Sequence, residues 1–263
     1  MRDIILAAAF AVTAAPAHAV GFSVSELTLG YNKLPAGRDM IESGDIGVTG
    51  AFSFGEKVTL GLGLSYSDAG HRAGSTNTTV VSLLGDYSVG DHAVFGVFMD
   101  YTHFNFSGFS SWSTAYAKSK FDVYHYGLHA RYSLGNMGLS GFLGQGKSSD
   151  VSYNTNVLGI AASYGFASGL DIGAFYNREE LRNGATNDDF DNFGVSVGQL
   201  LSASSKMPLY LSTSIGRYEL NSNEVGQLRI SLTLPLGNSA TVGRKELHRH
   251  SSLISYISQT AGQ

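Results

Sequence analysis

The chain contains no cysteine, only four prolines and few charged residues. Of its 263 residues, 14% are Asp, Glu, Lys or Arg, against roughly a quarter in ordinary soluble proteins. The absence of thiols excludes disulfide bonds and is compatible with export through an oxidising compartment. So little charge means that much of the chain is either buried or faces something other than water.

Long hydrophobic runs and basic patches are also missing. Beyond residues 1–19, no uninterrupted apolar stretch reaches the about 18 residues that a membrane-spanning helix needs. The formal net charge is −4 and no basic stripe is present, so the sequence does not indicate a nucleic-acid partner. We therefore do not expect the chain to cross a membrane with helices.

The N-terminal residues have the pattern of a secretory signal. Arg2 precedes an apolar run over residues 4–15, and Ala-His-Ala at 17–19 matches the small-x-small cleavage pattern. Asp3 weakens the positive start of the segment, so an uncleaved N-terminal anchor is the alternative. We expect residues 1–19 to be a signal peptide that is removed.

Apolar residues occupy every second position in twelve successive stretches of the remaining chain. In the last stretch, every second residue from Leu228 to Leu236 is Leu or Ile. A period of two is the repeat of a strand with one apolar face. Twelve such faces in an unbroken up-and-down order predict an all-β fold, a closed antiparallel transmembrane β-barrel of about twelve strands over residues 20–237.

The expected strands are joined by connections that alternate between short and long. The strands are expected over residues 23–31, 45–54, 58–67, 78–89, 93–106, 119–133, 137–146, 154–166, 170–178, 192–201, 208–218 and 224–236. All the short turns then lie at one end of the barrel and all the longer loops at the other. The alternative is a soluble lipocalin-like barrel or β-sandwich with its apolar face inward, which would have about half as many strands.

The alternation also predicts which side chains face lipid and which face the lumen. Leu62 and Leu128 are expected near the middle of the lipid-facing surface, and Ser163 in the lumen. Aromatic residues collect at both ends of the outward rows, as at two membrane interfaces: Tyr31, Tyr66, Tyr101, Tyr124 and Tyr176 toward the loops, and Phe54, Tyr87, Phe95, Tyr132 and Phe166 toward the turns. Inward positions are mainly Gly, Ser, Thr and Ala, so we expect an unfilled lumen without a lumen-facing apolar set.

With these features the chain resembles the porin-like outer-membrane β-barrels of Gram-negative bacteria over roughly residues 23–236. The resemblance is to an architecture and not to a narrower family. It implies an outer-membrane location with both termini in the periplasm. It also implies outer-membrane lipid, the barrel-assembly machinery, periplasmic chaperones and small solutes as partners.

The C-terminal residues depart from this resemblance. Such barrels usually end on an aromatic residue, whereas here the last strand ends at Leu236 and the chain continues. The tail over residues 238–263 is basic, contains His248 and His250, and is expected to be a flexible periplasmic segment.

Charged and titratable residues at inward positions are candidates for lining a pore. They are Glu26, Asp86, Asp100, His125, His129, Arg131, Asp171 and Arg229, with Glu179 as a further inward carboxylate. Isolated charges in a narrow lumen are costly, so we expect these groups to be paired or hydrated. Because carboxylates outnumber arginines, we expect a weak cation preference that declines as the two histidines become protonated in mildly acidic solution.

One row of inward residues resembles a hydrolytic triad in composition. A register inferred from the sequence sets Ser82 beside Asp100 and Asp100 opposite His125. In a triad the base lies between the nucleophile and the carboxylate, whereas here the carboxylate is central, so we assign no catalytic residue. His125 and His129 are about 13 Å apart along one strand and cannot share a metal, and we expect neither a metal nor another cofactor.

The sequence therefore predicts a passive channel for ions and small hydrophilic solutes and not an enzyme. The longest loop, residues 107–118, could fold inward as a partial constriction. The alternatives are a translocator or adhesion barrel and, less favoured, an outer-membrane hydrolase. A translocator would need a passenger or lumen helix before the first strand, where we expect only residues 20–22 after cleavage.

Signal cleavage is directly testable. Because Ala17 and Ala19 suit the small pockets of a signal peptidase, the mature chain should begin at Val20. N-terminal sequencing of protein isolated from outer membranes measures this. Recovery of mature protein that begins at Met1 would contradict it.

Overall fold

The computed structural model describes residues 22–36, 39–71, 74–107, 120–148, 154–183, 186–201, 209–220 and 223–235. Within these ranges the chain forms twelve strands: β1 Phe22–Ala36, β2 Asp39–Phe54, β3 Val58–His71, β4 Gly74–Val89, β5 Ala93–Ser107, β6 Lys120–Leu134, β7 Met137–Lys147, β8 Asn154–Gly165, β9 Leu170–Asn183, β10 Thr186–Leu200, β11 Tyr210–Leu220 and β12 Asn223–Pro235. The proposed signal peptide, the tail and residues 108–118 of the longest loop lie outside the described residues.

The strands close into one antiparallel barrel. Each strand pairs with its neighbours in sequence, and β1 pairs with β12, as in Leu29 opposite Leu232. Closure leaves no edge strand, because each strand is paired with a neighbour on both sides. The predicted closed, up-and-down barrel of twelve strands is confirmed. In the described ranges, no helix is long and apolar enough to cross a membrane.

Tight turns at one end of the barrel depend on glycine. Four of the short connections contain a glycine with positive φ, a conformation that costs other residues energy: Gly55 (67°), Gly90 (62°), Gly135 (55°) and Gly169 (80°). These turns fix the strand ends at this side of the barrel. Most of the predicted boundaries there agree with the structure to within a residue or two.

The opposite ends of several strands extend further than the sequence predicted. Residues 34–44 and 180–191 were expected to be loops, but most of them continue the ladders between β1 and β2 and between β9 and β10. Lys33 pairs with Glu42, and Glu180 lies opposite Asp189. Strands that extend beyond a bilayer no longer need an apolar outer face, so the alternation that revealed them in the sequence disappears.

Outward side chains form the apolar surface that the alternation predicted. Leu62 is 41% exposed and Leu128 is 56% exposed on the isolated barrel. Both lie midway between two levels of outward aromatic rings: on β6 these are Tyr124 toward the loops and Tyr132 toward the turns. So large an exposed apolar surface is stable only against lipid or a partner.

This facing assignment predicts different costs for arginine on the two surfaces. Leu62→Arg or Leu128→Arg should destabilise the barrel in lipid by about 2 to 4 kcal/mol, because the charge enters the bilayer near its midplane. Ser163→Arg should cost much less, because Ser163 borders the internal cavity. Refolding titrations into lipid vesicles measure these free energies, and equal costs for both classes would contradict the assignment.

Candidate functional site: the barrel lumen

A cavity of about 600 Å³ runs through the barrel interior. Its lining extends from Thr59 and Ser133 near the turn end to Asn32 and Thr78 toward the loop end. Sixteen serine and threonine residues border it. Neutral hydroxyl groups, which both donate and accept hydrogen bonds, are therefore the commonest polar groups of the lumen.

One side of the lumen is filled by aromatic side chains, contrary to the expectation from the sequence. Phe98 on β5 and Phe142 on β7 are 4% and 7% exposed, and their rings meet edge to face at 5.9 Å. Val157, Ala161 and Phe175 pack against this pair. The prediction that no group of apolar side chains faces the lumen was wrong. Gly, Ser and Thr predominate at inward positions, so the few large apolar residues among them were overlooked.

A second aromatic layer lies nearer the loop end. Phe104 on β5 stacks on Phe121 of β6 at 5.0 Å, and Phe190 on β10 stacks on Tyr218 of β11 at 5.3 Å. Phe104, Phe121 and Phe190 are almost completely buried. None of these three borders the cavity, which at this level lies beside β1 to β4, β11 and β12.

Asp86, His129 and Arg131 form a charged cluster toward the turn end. Arg131 donates a hydrogen bond from Nη2 to Asp86 Oδ2, and His129 Nε2 lies 2.8 Å from Asp86 Oδ1. The side chains reach each other across Gly96, where a Cβ would collide with both His129 and Asp86. The carboxylate, which is 12% exposed, is therefore compensated by the guanidinium.

A second charged pair lies on the wall formed by β12, β1 and β2. Arg229 Nη2 of β12 donates to Asp45 Oδ2 of β2 over 3.0 Å, across Gly30 of β1. Asp45 is not among the residues predicted to line a pore, because it lies at the expected start of its strand. Asp45 lies an even number of residues from Thr49, so the two side chains lie on the same face of β2. This alternation indicates that Asp45 faces inward.

Three of the eight candidates lie outside the cavity lining. Asp100 is only 2% exposed, and its Oδ1 has no hydrogen-bond partner among the described residues. His125 Nε2 lies 3.5 Å from Glu179 Oε1. These groups and His129 belong to the filled side of the lumen, whereas the other candidates border the cavity: Glu26, Asp86, Arg131, Asp171 and Arg229.

The structure contains the row of Ser82, Asp100 and His125 in the predicted register. Ser82 pairs with Asp100, and Asp100 pairs with His125, so the carboxylate is central. Elsewhere in the lumen, Tyr210 donates a hydrogen bond to Asp171. Within the described part of the chain, no group of three His, Asp or Glu residues could hold a metal ion.

Comparisons with known proteins agree with this architecture. No protein-family model matches the sequence, and no curated protein matches it. Among solved structures, the COG4313 outer membrane channel from Pseudomonas putida F1 has a TM-score of 0.55 at 13% identity, with 84% of this chain and 98% of that chain covered. The translocator domain of the autotransporter NalP from Neisseria meningitidis has a TM-score of 0.52 at 14% identity, covering 89% and 95%. The KdgM porin has a TM-score of 0.49 at 13% identity, covering 79% and 97%.

The class of protein follows from the fold. A closed barrel of twelve antiparallel strands with an apolar outer face is the architecture of outer-membrane β-barrels. The outer membrane channel and the translocator domain, whose TM-scores exceed 0.5, have this fold at identities that show a shared fold and no narrower family.

The charged cluster generates a stability prediction. Arg131→Gln should destabilise the barrel by about 1 to 3 kcal/mol, because it leaves a mostly buried carboxylate with less compensation. The double variant Asp86→Asn with Arg131→Gln should recover most of that loss. Unfolding titrations in detergent or lipid measure both.

The matched control is another Arg–Asp pair, on the outer surface. Arg178 donates to Asp189 over 2.6 Å, and both side chains are exposed to solvent. Arg178→Gln should therefore cost less than about 1 kcal/mol. Equal costs for the two arginine variants would show that the lumen pair is not needed to compensate a buried charge.

Proposed function

We propose that the protein is an outer-membrane channel through which ions and small hydrophilic solutes diffuse passively. The observation that carries this proposal is the hydroxyl-lined cavity inside a closed barrel with an apolar outside. Such a cavity offers polar solutes a path that the surrounding lipid does not. A barrel of twelve strands lies between the filled eight-stranded barrels and the open sixteen-stranded porins, so we expect modest conductance.

In the proposed orientation, the turns and both termini are periplasmic and the longer connections face outward. This follows the usual asymmetry of bacterial outer-membrane barrels. The proposed partners are outer-membrane lipid at the apolar surface, and the barrel-assembly machinery and periplasmic chaperones during export. The two levels of outward aromatic rings mark the expected membrane interfaces.

The charges that border the cavity favour weak cation selectivity. Four carboxylates lie there against two arginines: Glu26, Asp45, Asp86 and Asp171 against Arg131 and Arg229. Each arginine is paired with a carboxylate, so the fixed charge that solutes meet is small. A small excess of negative charge attracts cations without excluding anions.

A translocator barrel is the second candidate, favoured by the structural likeness to an autotransporter translocator domain. A hydrolase is less favoured, because Asp100 lies between Ser82 and His125 in the one row that contains triad residue types. Ion current through the isolated protein in a membrane distinguishes the channel proposal from both alternatives.

Planar-bilayer recording of the refolded protein tests the proposal. Single-channel current should appear on insertion, and a salt gradient should give a reversal potential of the sign expected for weak cation preference. A protein that inserts as a folded barrel but passes no current is not a channel, and the translocator and enzyme interpretations would then be preferred.

The pair Arg229–Asp45 gives a sharper selectivity test. Arg229→Gln should increase cation preference, because it leaves the Asp45 carboxylate without its guanidinium partner. The double variant Asp45→Asn with Arg229→Gln should return the reversal potential close to that of the wild type. If Arg229→Gln leaves the reversal potential unchanged, this pair does not face the conducting path.

A further inference from the structure

In the part of the chain that the structure describes, aromatic side chains border the cavity on one side only of the two that face each other across it. Phe175 on β9 and Tyr218 on β11 border it on one side, and Tyr210 of β11 borders it nearer the turn end. In a closed ring of twelve strands, β3 lies opposite β9. The wall of β2, β3 and β4 that faces these rings carries hydroxyl groups: Thr49, Thr59, Ser65, Ser67, Thr78 and Ser82.

Phe175 is held as a flat surface on its wall. Its ring tip lies over Gly194 and Gly216 of the next two strands, and a Cβ at these positions would come within 2.9 Å and 3.5 Å of Phe175 Cζ. The ring also packs against the Phe98–Phe142 pair. Because glycine leaves room beneath it, the ring lies along the wall and one face borders the cavity.

Tyr218 borders the same side of the cavity nearer the loop end. It follows Gly216 by two residues on β11, so its backbone lies about 7 Å further along the wall. Stacking on Phe190 fixes its ring. Tyr218 is only 4% exposed, so Phe175 is the ring that offers accessible apolar surface, and Tyr218 bounds the same side of the cavity.

The two arginines that border the cavity are already paired with carboxylates within the protein. Arg131 pairs with Asp86, and Arg229 pairs with Asp45. No unpaired arginine or lysine borders the cavity among the described residues. An anionic solute would thus lose hydration in the lumen without gaining a cationic partner.

We propose that the cavity binds uncharged, hydroxyl-rich solutes of the sugar type. A C–H face of the solute would pack on Phe175, and its hydroxyls would exchange hydrogen bonds with the serines and threonines opposite. This proposal rests on the channel function and names a class of solute for it. It adds a binding site within the lumen, which passive diffusion alone does not require.

Block of the ion current by solutes in planar bilayers tests the inference with the wild-type protein. The probes are sucrose, polyethylene glycol of equal hydrodynamic size, and the anionic sugar lactobionate. After correction for solution conductivity, sucrose should reduce single-channel conductance with a saturating concentration dependence. Polyethylene glycol should act without saturation, and lactobionate should require a much higher concentration than sucrose.

A matched pair of Phe→Leu variants tests the position of the site. Phe175→Leu removes the ring at the cavity and should raise the half-blocking sucrose concentration at least about threefold. Phe193→Leu makes the same change on the outer face of β10, where the side chain is 39% exposed, and should leave block unchanged.

The outcomes separate the two proposals. Sucrose that acts like polyethylene glycol, or equal sucrose block in folded Phe175→Leu and wild type, would overturn the binding site while ion current still supports a channel. Absence of any current would overturn the channel itself. If Phe175→Leu does not fold, the comparison of sucrose with polyethylene glycol on the wild type decides the question.

Discussion

Backbone hydrogen bonding in lipid is the constraint on which the rest of this structure depends. A strand that crosses a bilayer cannot leave its N–H and C=O groups unpaired, so β1 must pair with β12 and the sheet must close. In a closed barrel one face of the sheet meets lipid and the other meets the lumen. Successive side chains of each strand therefore alternate between these two environments. The apolar exterior, the hydroxyl-lined interior and the placement of the charged pairs follow from that alternation.

Within the closed barrel, side chains divide the lumen lengthwise. The pair Phe98–Phe142 and the layer that contains Phe104 and Phe121 fill the side formed by the middle strands, and the cavity lies along the other side. Charged groups on both sides lie against the wall, where glycines such as Gly30 leave space for them. Side chains of the barrel's own strands therefore narrow the lumen.

Much of the fold could be predicted from the sequence, because a period of two and the turn glycines are local signals. The same local signals predicted that Asp100 of β5 lies opposite His125 of β6. Strand extensions beyond the bilayer could not be predicted in this way, because polar residues there lose the alternation. The pair Arg229–Asp45 joins β12 to β2 across β1, so it becomes visible only once the barrel is closed. Lumen phenylalanines were missed although their parity was available: outward Val97 and Met99 require Phe98 to face inward.

Single-channel conductance of the wild type beside Phe142→Ala tests the central claim most directly, which is that the protein conducts through a lumen partly filled by its own aromatic side chains. The account predicts a modest current for the wild type and a larger one for the folded variant, because truncation removes a ring from the filled side of the lumen. Unchanged conductance in the variant, or no current from either folded protein, would contradict it.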